Sequence, residues 1–304
     1  MTITRTLLFA NETIAEAARI ILAGEPVAVA TETVYGLAAD ATNAEAVARI
    51  YEAKGRPSFN PLIVHVPDLP AAEEIGIFDE QARTLAERHW PGPLTLVVPL
   101  REGSRIASIV TAGLPTIGLR VPAHPAMQAL LRAAGRPLAA PSANASGSIS
   151  PTRAEHVLRT LGGRIPLVLD AGPTERGIES TIVAAVGGKL RLLRPGPLQV
   201  DASTDVGGTI EAPGQLASHY APSKPVRLNA VDGKDGEFLI GFGTVAGDAT
   251  LSRSSDLVEA AARLFDLLHQ ADSSNKPRIA VAPVPNEGLG RAINDRLTRA
   301  AHPG

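Results

Sequence analysis

The chain has 304 residues, enough for two domains, and with 44% hydrophobic and 20% charged residues it has the composition of a globular protein. It contains no cysteine, which excludes disulfide bonds, thiolate metal sites and thiol catalysis and suits a reducing compartment. The net charge of −2 gives no global indication of a nucleic-acid partner. The first residues lack the apolar run of a signal peptide, and no 18-residue apolar stretch follows, so we expect a soluble cytoplasmic protein without membrane contact.

Helix-like and strand-like patterns alternate over the first 200 residues. The periodicity predicts helices at "IAEAARIILAG", "NAEAVARIYEAKGR", "DEQARTLAERHW" and "HPAMQALLRAA". Apolar runs predict strands at "PVAVATETVYGLAADA", which runs into a turn, and at "NPLIVHV", "LTLVVPL", "TIGLRVP", "PLAAPSAN", "IPLVLDAG", "STIVAAV" and "KLRLLRPG". This alternation is typical of an α/β layer architecture.

The composition changes near residue 201. Residues 201–228 have little periodicity and are rich in Gly, Pro, Ser and Thr, which predicts a linker. A strand, a helix, a strand and a helix follow in "EFLIGFG", "SSDLVEAAARLFDLLHQAD", "RIAVAPVP" and "LGRAINDRLTRAA". We therefore predict a main domain over residues 1–200, a linker that can act as a lid over 201–228, and a small α/β domain over 229–304.

Positive charge is concentrated in one part of this nearly neutral chain. Residues 101–164 carry eight arginines, with Glu102 and Glu155 as the only acids. Inside this segment lies "PLAAPSANASGSISPT", residues 137–152, a loop of small hydroxyl side chains without acids or bulk. The segment indicates either a local anionic ligand or a solvated arginine face.

Other polar side chains follow strands or helices, where α/β proteins bind ligands. "TETVYGL", residues 31–37, offers hydroxyls at a strand end, although ordinary turn chemistry explains it equally well. In "KGRPSFNPL", residues 54–62, Lys54 and Arg56 follow a helix. They could bind phosphates, or they could simply stabilise the helix carboxyl terminus.

Two polar residues lie within apolar strands. Arg120 in "TIGLRVP" needs a partner, either a ligand anion or an acid brought close by the fold. His65 in "LIVHV" is either a ligand-binding residue or a satisfied core histidine. "GIESTIV" and "LLRPGP" add a hydroxyl and a cation at further strand ends. No P-loop, Ser-His-Asp set, carboxylate dyad or helical His pair is present, and "GFG" at 241–243 is only a weak dinucleotide signal.

Taken in order, "TETVYGL", "KGRPSFNPLIVHV", "TIGLRVPAHP", "PSANASGSISPT", "ESTIV" and "LRPGP" resemble the YrdC-like threonylcarbamoyl-AMP synthase family over roughly residues 8–200. "HYAPSKPV" resembles the linker of its longer, two-domain members. The resemblance implies a twisted open α/β sheet with a basic concave cleft and a Rossmann-like carboxyl-terminal domain. It also implies synthesis of threonylcarbamoyl-adenylate from L-threonine, bicarbonate and ATP, with release of pyrophosphate.

The resemblance further implies roles for individual residues. The set around the phosphates and the reacting centre would be Lys54, Arg56, Ser142 and Asn144. Nucleotide-binding positions would be Arg56, Asn60, Thr116, Ser142, Ser150, Arg194 and Tyr220. Threonine-binding positions would be Thr33, His65, Arg120, Ala140 (through its backbone) and Ser180, with Arg120 facing the threonine carboxylate. Mg²⁺ is implied on the triphosphate, without a dedicated cluster of protein ligands.

This chemistry agrees with the residues present. A carbamate formed from threonine and bicarbonate supplies its own nucleophile, so the protein has to align anions and neutralise charge rather than donate a nucleophilic side chain. Downstream proteins would transfer the threonylcarbamoyl group to tRNA. The main alternative is a module of the same fold that binds double-stranded RNA in the basic cleft through Lys54, Arg56 and Arg120, without a threonine-sized pocket.

Overall fold

The computed structural model describes residues 3–203, 211–213 and 219–302. Most described strands form one ten-stranded sheet. In chain order they are β1 (Arg5–Leu8), β2 (Val27–Ala30), β3 (Tyr35–Asp40), β4 (Ile63–His65), β5 (Leu94–Pro99), β6 (Thr116–Arg120), β7 (Leu138–Ala139), β8 (Leu167–Asp170), β9 (Thr181–Val186) and β10 (Lys189–Arg194). Their order across the sheet is β1-β8-β2-β3-β7-β4-β6-β5-β9-β10.

The described helices of this unit pack on the sheet. They are α1 (Asn11–Leu22), α2 (Ala44–Lys54), α3 (Leu69–Glu73), α4 (Glu80–His89), α5 (Ser108–Thr111), α6 (Pro125–Ala134) and α7 (Ala154–Leu161). Helix α1 packs against α6, and α2 packs against β3. The apolar layer between helices and strands consists almost entirely of Ala, Val, Leu and Ile, as the aromatic content of 3% requires.

The sheet mixes parallel and antiparallel neighbours. β1, β8 and β2 run parallel, whereas β2 with β3, β3 with β7 and β7 with β4 are antiparallel. The sequence predicted a buried strand running into a turn in residues 26–41; the structure has this strand as β2 and the turn at 31–34, but the chain then returns as a second strand, β3, which was not predicted. Both strands are fully buried, and an apolar run without alternation gives no sign of such a reversal.

A second, four-stranded sheet lies in the carboxyl-terminal part. It contains β11 (Val226–Arg227), β12 (Glu237–Gly241), β13 (Ala249–Thr250) and β14 (Arg278–Val281), in the order β11-β14-β12-β13, all parallel. Helices α8 (Leu257–Ser273) and α9 (Gly290–Ala301) accompany it. The predicted domain limits at 200 and 228 remain predictions; the described chain passes from the first sheet to the second between β10 and β11.

Helix α2 shows how local signals place functional groups. Asn43 caps its amino terminus by accepting from the backbone N–H groups of Glu45 and Ala46 at 3.0 and 3.2 Å. Gly55 ends it in the left-handed conformation with φ of 59°. Lys54 is therefore the last helical residue, and Arg56 begins the loop that follows.

The two units are in direct contact. The rings of His156 on α7 and His269 on α8 stack with centroids 3.8 Å apart, and Arg153 Nε donates to Asp266 Oδ1 at 2.8 Å. Tyr220 packs in the carboxyl-terminal core, 5.5 Å from Phe265 between ring centroids. Over the described residues, no helix combines the length and apolarity needed to cross a membrane.

Candidate active site

The candidate site is a small pocket where several strand ends of the large sheet meet the carboxyl-terminal part. Its wall comes from the β2–β3 turn, the residues after β7, the start of β9 and the end of β10. The cavity volume is about 50 Å³, room for a few water molecules. The residues around it are Thr31, Thr33, Val34, Gly36, Arg56, Ile63, His65, Arg120, Ala140, Pro141, Ser142, Glu179, Ser180, Arg194, Pro213, His219 and Tyr220.

The fold therefore brings together nine of the residues predicted from sequence. They are Thr33, Arg56, His65, Arg120, Ala140, Ser142, Ser180, Arg194 and Tyr220. Four more predicted residues lie behind the pocket wall. Three of them hydrogen-bond to pocket residues: Lys54 to Ser142, Asn60 to Arg56 and Ser150 to Glu179. The fourth, Asn144, accepts from Lys54. Thr116 lies apart, in a narrow adjoining pocket with Thr95 and Pro213.

Lys54 holds the small-hydroxyl loop in place. Its Nζ donates to the carbonyl oxygens of Ser142 at 2.6 Å and Asn144 at 2.5 Å. The Asn144 Nδ2 donates to Ser148 O at 2.8 Å, while its buried Oδ1 has no partner within the described part of the chain. Burial, followed by the charge of Arg56, lowers the pKa of Lys54 well below its ordinary value.

Arg56 is also engaged by the backbone of its own loop. Its Nε donates to Asn60 O at 3.2 Å and its Nη2 to Pro61 O at 2.9 Å. Burial lowers its pKa to about 10, so the guanidinium stays charged at neutral pH. Asn60 contributes this carbonyl oxygen, while its side-chain Oδ1 is buried and has no partner among residues 3–203, 211–213 and 219–302. Arg56 thus shapes the 57–61 loop and lines the pocket at once.

Arg194 and Ser180 form a second polar pair. Arg194 Nη2 donates to Ser180 Oγ and its Nε to Ser180 O, both at 3.1 Å. Thr95 Oγ1 lies 2.7 Å from the same hydroxyl. Burial lowers the pKa of Arg194, and the fork of the guanidinium is fixed by these contacts. A preorganised donor of this kind costs little to align with an anion.

Arg120 is paired with an acid that could not be identified from the sequence. Its Nη2 donates to Glu32 Oε1 at 2.6 Å, and both side chains are buried. The fold-mediated ion pair, one of the two alternatives for Arg120, is therefore present, and Arg120 lines the pocket as well. Burial alone would raise the pKa of Glu32, but Arg120 outweighs it and lowers the pKa below its ordinary value.

The turn at residues 31–34 is held by its own hydroxyls. Thr31 Oγ1 donates to Val34 O at 2.7 Å and lies 2.8 Å from Thr33 Oγ1. The hydroxyls of Thr31 and Thr33 therefore stabilise the turn, and the same two residues also line the pocket. Beside this turn, His65 is fully enclosed, and burial and the charge of Arg120 lower its pKa to about 3. His65 is neutral at physiological pH, and its Nδ1 has no partner among the described residues.

Two linker residues complete the pocket. His219 and Tyr220 are both buried, and their rings lie 4.1 Å apart between centroids. Burial, together with the charges of Lys54 and Arg56, lowers the pKa of His219 well below 6.5. The Tyr220 hydroxyl is buried, and no described residue forms a hydrogen bond with it. Of the predicted linker, residues 204–210 and 214–218 lie outside the described residues, whereas "HYAPSKPV", residues 219–226, lies within them.

Comparisons with known proteins identify the family of this chain. The family model Sua5_yciO_yrdC, described as "Telomere recombination", matches residues 19–196, and Sua5_C, "Threonylcarbamoyl-AMP synthase, C-terminal domain", matches 178–302. The chain belongs to the Sua5/YciO/YrdC family. The threonylcarbamoyl-AMP synthase of Bacillus subtilis (strain 168) is 40% identical over 321 residues, covering 95% of this chain and 92% of that protein.

Relatives with both parts of the chain include archaeal ones. The threonylcarbamoyl-AMP synthase of Pyrococcus abyssi is 38% identical over 317 residues, covering 94% of this chain and 93% of that protein. The crystal structure of P. abyssi Sua5 complexed with L-threonine superposes with a TM-score of 0.88, covering 99% of this chain and 97% of that one at 35% identity. Membership of the Sua5/YciO/YrdC family, suggested by the motifs, is confirmed.

Two acids at the site were not identified from the sequence: Glu179, which lines the pocket, and Glu32, which pairs with the pocket residue Arg120. Both lie inside motifs predicted for their hydroxyls, "GIESTIV" and "TETVYGL". Each is buried and ion-paired, Glu32 with Arg120 and Glu179 with Arg296. A lone acid in a strand-loop junction that also carries predicted ligand contacts is the signal that could have revealed them.

Proposed function

We propose that this chain is an L-threonylcarbamoyladenylate synthase, a nucleotidyltransferase that uses ATP, L-threonine and bicarbonate. The observation that carries the proposal is a single buried pocket in which Arg56, Arg120 and Arg194 meet the small-hydroxyl loop, in a chain of this family. The pocket offers several cations for two anionic substrates. No cysteine is available anywhere in the chain as a nucleophile.

The reaction has a balanced course that uses only such groups. The threonine amine and bicarbonate give a carbamate and water. A carbamate oxygen then attacks the α-phosphorus of ATP, a new P–O bond forms, and the bond to the β-phosphate breaks, with its electron pair leaving on pyrophosphate. Positioning and charge neutralisation are the main tasks of the protein in such a displacement.

The site residues divide naturally between the two substrates. Arg120, held by Glu32 beside neutral His65 and the Thr33 turn, is suited to the threonine carboxylate. Arg56, Lys54 and the loop with Ser142 are suited to the phosphates, with Arg194 and Ser180 between the two groups. Thr116, in the adjoining pocket, would serve only a part of the nucleotide that extends past Pro213.

Mg²⁺ is proposed to accompany ATP as part of the substrate. Within the described ranges, no group of three or more His, Asp or Glu residues is arranged to hold a metal ion. The pocket acid Glu179 and the nearby Glu32 are each already paired with an arginine. The ion would therefore be bound through phosphate oxygens and water, which is the usual preference of Mg²⁺.

Cytoplasmic location and transfer of the product to tRNA by further proteins belong to the same proposal. A carbamoyl-adenylate is a mixed anhydride that water hydrolyses, so a group-transfer enzyme has to consume it soon after release. The linker residues over the pocket support a protected intermediate, because they leave little space for bulk water.

The deciding experiment is pyrophosphate release from ATP by the purified protein. We expect release only when L-threonine and bicarbonate are both present, and a product whose mass equals threonylcarbamoyl-AMP. Release that is independent of threonine or of bicarbonate would exclude this function. D-Threonine serves as the matched control, because it has the same charge and composition but the wrong hand for a carboxylate and amine held at fixed points.

RNA binding in the cleft finds less support. The alternative needs Lys54, Arg56 and Arg120 at the surface, and all three are at most 9% exposed. Any direct RNA contact would have to use other cations, such as Arg105 and Arg132, which line an open groove of about 630 Å³. We propose such contact only as an accessory to synthesis. If salt-dependent RNA binding survives in the double variant Arg105→Ala/Arg132→Ala, the proposed RNA contact at this groove is excluded.

A further inference from the structure

Arg296 on helix α9 reaches from the carboxyl-terminal unit to the wall of the candidate active site. It is fully buried, with 0% exposure, although it is a charged residue. Its Nε donates to Glu179 Oε2 at 3.0 Å and its Nη1 to Pro195 O at 2.7 Å. Both partners belong to the main domain, and Glu179 lines the pocket.

Glu179 connects this arginine to a predicted nucleotide contact. Its second oxygen, Oε1, accepts from Ser150 Oγ at 2.5 Å. Ser150 is completely buried at the end of the small-hydroxyl loop. The chain of contacts therefore runs from helix α9 through one carboxylate to the loop that faces the phosphates. Pro195, the other acceptor, directly follows the pocket residue Arg194.

The charges explain why this contact matters for an anionic ligand. A buried carboxylate at the edge of a site for triphosphate would repel the ligand unless a cation neutralises it. Of the cations described near Glu179, Arg296 is the one that contacts both its side chain and, at 3.5 Å, its backbone oxygen. Asp295 Oδ2 also accepts from Arg296 Nη1 at 2.9 Å.

Arg296 also supports the linker residue that closes the pocket. Its guanidinium carbon lies 5.5 Å from the centroid of the Tyr220 ring, within the range of a cation–π contact. Burial alone would lower the pKa of Arg296, but Tyr220, Glu179 and Asp295 together raise it, so the guanidinium is charged at every working pH. One side chain therefore contacts the pocket wall and the pocket cover.

We propose that Arg296 is a positioning residue through which the carboxyl-terminal domain sets the affinity of the active site for ATP. It neutralises Glu179, fixes Ser150 through that carboxylate, and orders Tyr220. Arg296 does not touch substrate in this role. The proposal rests on the proposed function for the identity of the nucleotide, and it makes the second domain part of the nucleotide site rather than an appendage.

The test uses the full-length protein and two readouts, the Kd for Mg·ATP by titration calorimetry without threonine and the steady-state constants for pyrophosphate release. In Arg296→Met we expect the Kd and the KM for ATP to rise at least about tenfold, and the KM for threonine to change less than about threefold. In Arg296→Met/Glu179→Gln, which removes both charges and keeps an acceptor for Ser150, ATP affinity should recover most of this loss.

The matched control is Arg153→Met, which removes an interdomain ion pair that is partly exposed and whose residues do not line the pocket. It should leave both KM values within about twofold of wild type. Equal losses for ATP and threonine in Arg296→Met, unchanged ATP affinity, or no recovery in the double variant would each overturn the proposal. A similar ATP loss in Arg153→Met would show that domain docking alone is responsible and would also overturn it.

A second variant distinguishes a loss of folding from a loss of ATP affinity. If Arg296→Met does not fold, Arg296→Lys carries the test, because it keeps the charge but loses the fork; we expect an ATP-specific loss of affinity, and wild-type affinity would contradict the proposal. Wild-type protein that binds ATP but releases no pyrophosphate refutes the proposed function alone. Wild-type protein that does not bind ATP refutes both.

Discussion

Glu32 and Arg120 are ion-paired across the large sheet, 88 residues apart in sequence, with Arg120 Nη2 to Glu32 Oε1 at 2.6 Å. The other carboxylate oxygen accepts from Ala123 N at 3.1 Å, and Arg120 Nε donates to Gly92 O at 3.3 Å. Among the described residues, Nη1 of Arg120 has no hydrogen-bond partner. The guanidinium is therefore fixed on one side and free to bind a carboxylate on the other.

The first prediction follows from this arrangement. If Nη1 binds the amino-acid carboxylate, Arg120→Lys should stay at least about tenfold below wild type in kcat/KM for threonine, because a point charge cannot reproduce the fork. Threonine amide should be a very poor substrate, and serine should react several-fold less well because it lacks one methyl. Pyrophosphate assays with the three compounds test this; equal use of threonine and its amide would show that Arg120 serves only Glu32.

The second prediction concerns Arg56. Arg56→Ala should lower adenylate formation at least about tenfold, since a charge-assisted phosphate contact contributes roughly 1.5–3 kcal/mol. Because Arg56 also binds the carbonyl oxygens of Asn60 and Pro61, the variant needs a folding check by circular dichroism and thermal melting. Arg49→Ala, which alters a half-exposed arginine on α2, is the matched control. Normal turnover in a folded Arg56→Ala protein would remove Arg56 from the phosphate site.

The placement of site residues at a helix end was predictable from neighbouring residues, whereas the ion pairs between distant segments were not. Asn43 and Gly55 define α2, so the sequence placed Lys54 and Arg56 at a helix end, where the structure has them. The pairing of Arg120 with Glu32 joins distant segments, and nothing in either segment encodes it. The same holds for Arg296 and Glu179, 117 residues apart.

Very short elements were also missed for a physical reason. Strands β11 and β13 have two residues each, too few for any periodicity, and they exist because β14 and β12 offer edges to pair with. Helices α3 and α5, of five and four residues, are too short for an amphipathic pattern as well. Tertiary context, rather than local propensity, decides such segments.

The third prediction concerns protons taken up with the nucleotide. The pKa of Lys54 is held well below its ordinary value by burial and by Arg56, and an adjacent triphosphate would raise it again. Binding of Mg·ATP should therefore be accompanied by net proton uptake that grows as the pH rises through the lowered pKa of Lys54 in the free protein. Calorimetry in buffers of different ionisation enthalpy measures it, and Lys54→Met should reduce it. Uptake that is the same in Lys54→Met and wild type would assign the proton to another group, such as His219.

The fourth prediction is acid sensitivity of the domain interface. Burial lowers the pKa of His156 to about 3 and that of His269 to about 4, both from 6.5. Between about pH 6.5 and 4 the unfolded chain binds more protons, so the free energy of unfolding should decrease as the pH falls through this window. Above pH 6.5 both states are neutral and the effect disappears.

Replacing one of the two histidines by an aromatic residue that cannot be protonated isolates its contribution to the pH dependence of unfolding. His156→Phe should flatten the pH dependence of unfolding by on the order of 1–3 kcal/mol between pH 7 and pH 4, while leaving the stack with His269 in place. His302→Gln, at an exposed position, is the control and should follow wild type. Urea titrations at several pH values give the comparison. Parallel curves for wild type and His156→Phe would show that the stacked pair does not control acid stability.

The last prediction concerns Tyr220 and the opening of the pocket. A cavity of about 50 Å³ cannot admit ATP while His219, Tyr220 and Pro213 border it, so these linker residues have to move when the nucleotide enters. The prolines at 213, 222 and 225 limit the conformations of the linker, which reduces the entropy lost when it closes again. Tyr220 also packs on Phe265, so the interpretation that it simply joins the two domains has support as well.

Limited proteolysis near residues 214–224, of which 214–218 lie outside the described residues, distinguishes these two roles. We expect cleavage without ligand and protection when ATP and threonine are both added, because closure excludes water that would hydrolyse the adenylate. Tyr220→Ala should release more AMP per pyrophosphate than wild type, and Tyr220→Phe should resemble wild type if the ring rather than the hydroxyl seals the pocket. If the ligands give no protection and Tyr220→Ala retains turnover with a stable adenylate, the segment is a tether between domains and Tyr220 is part of their shared core.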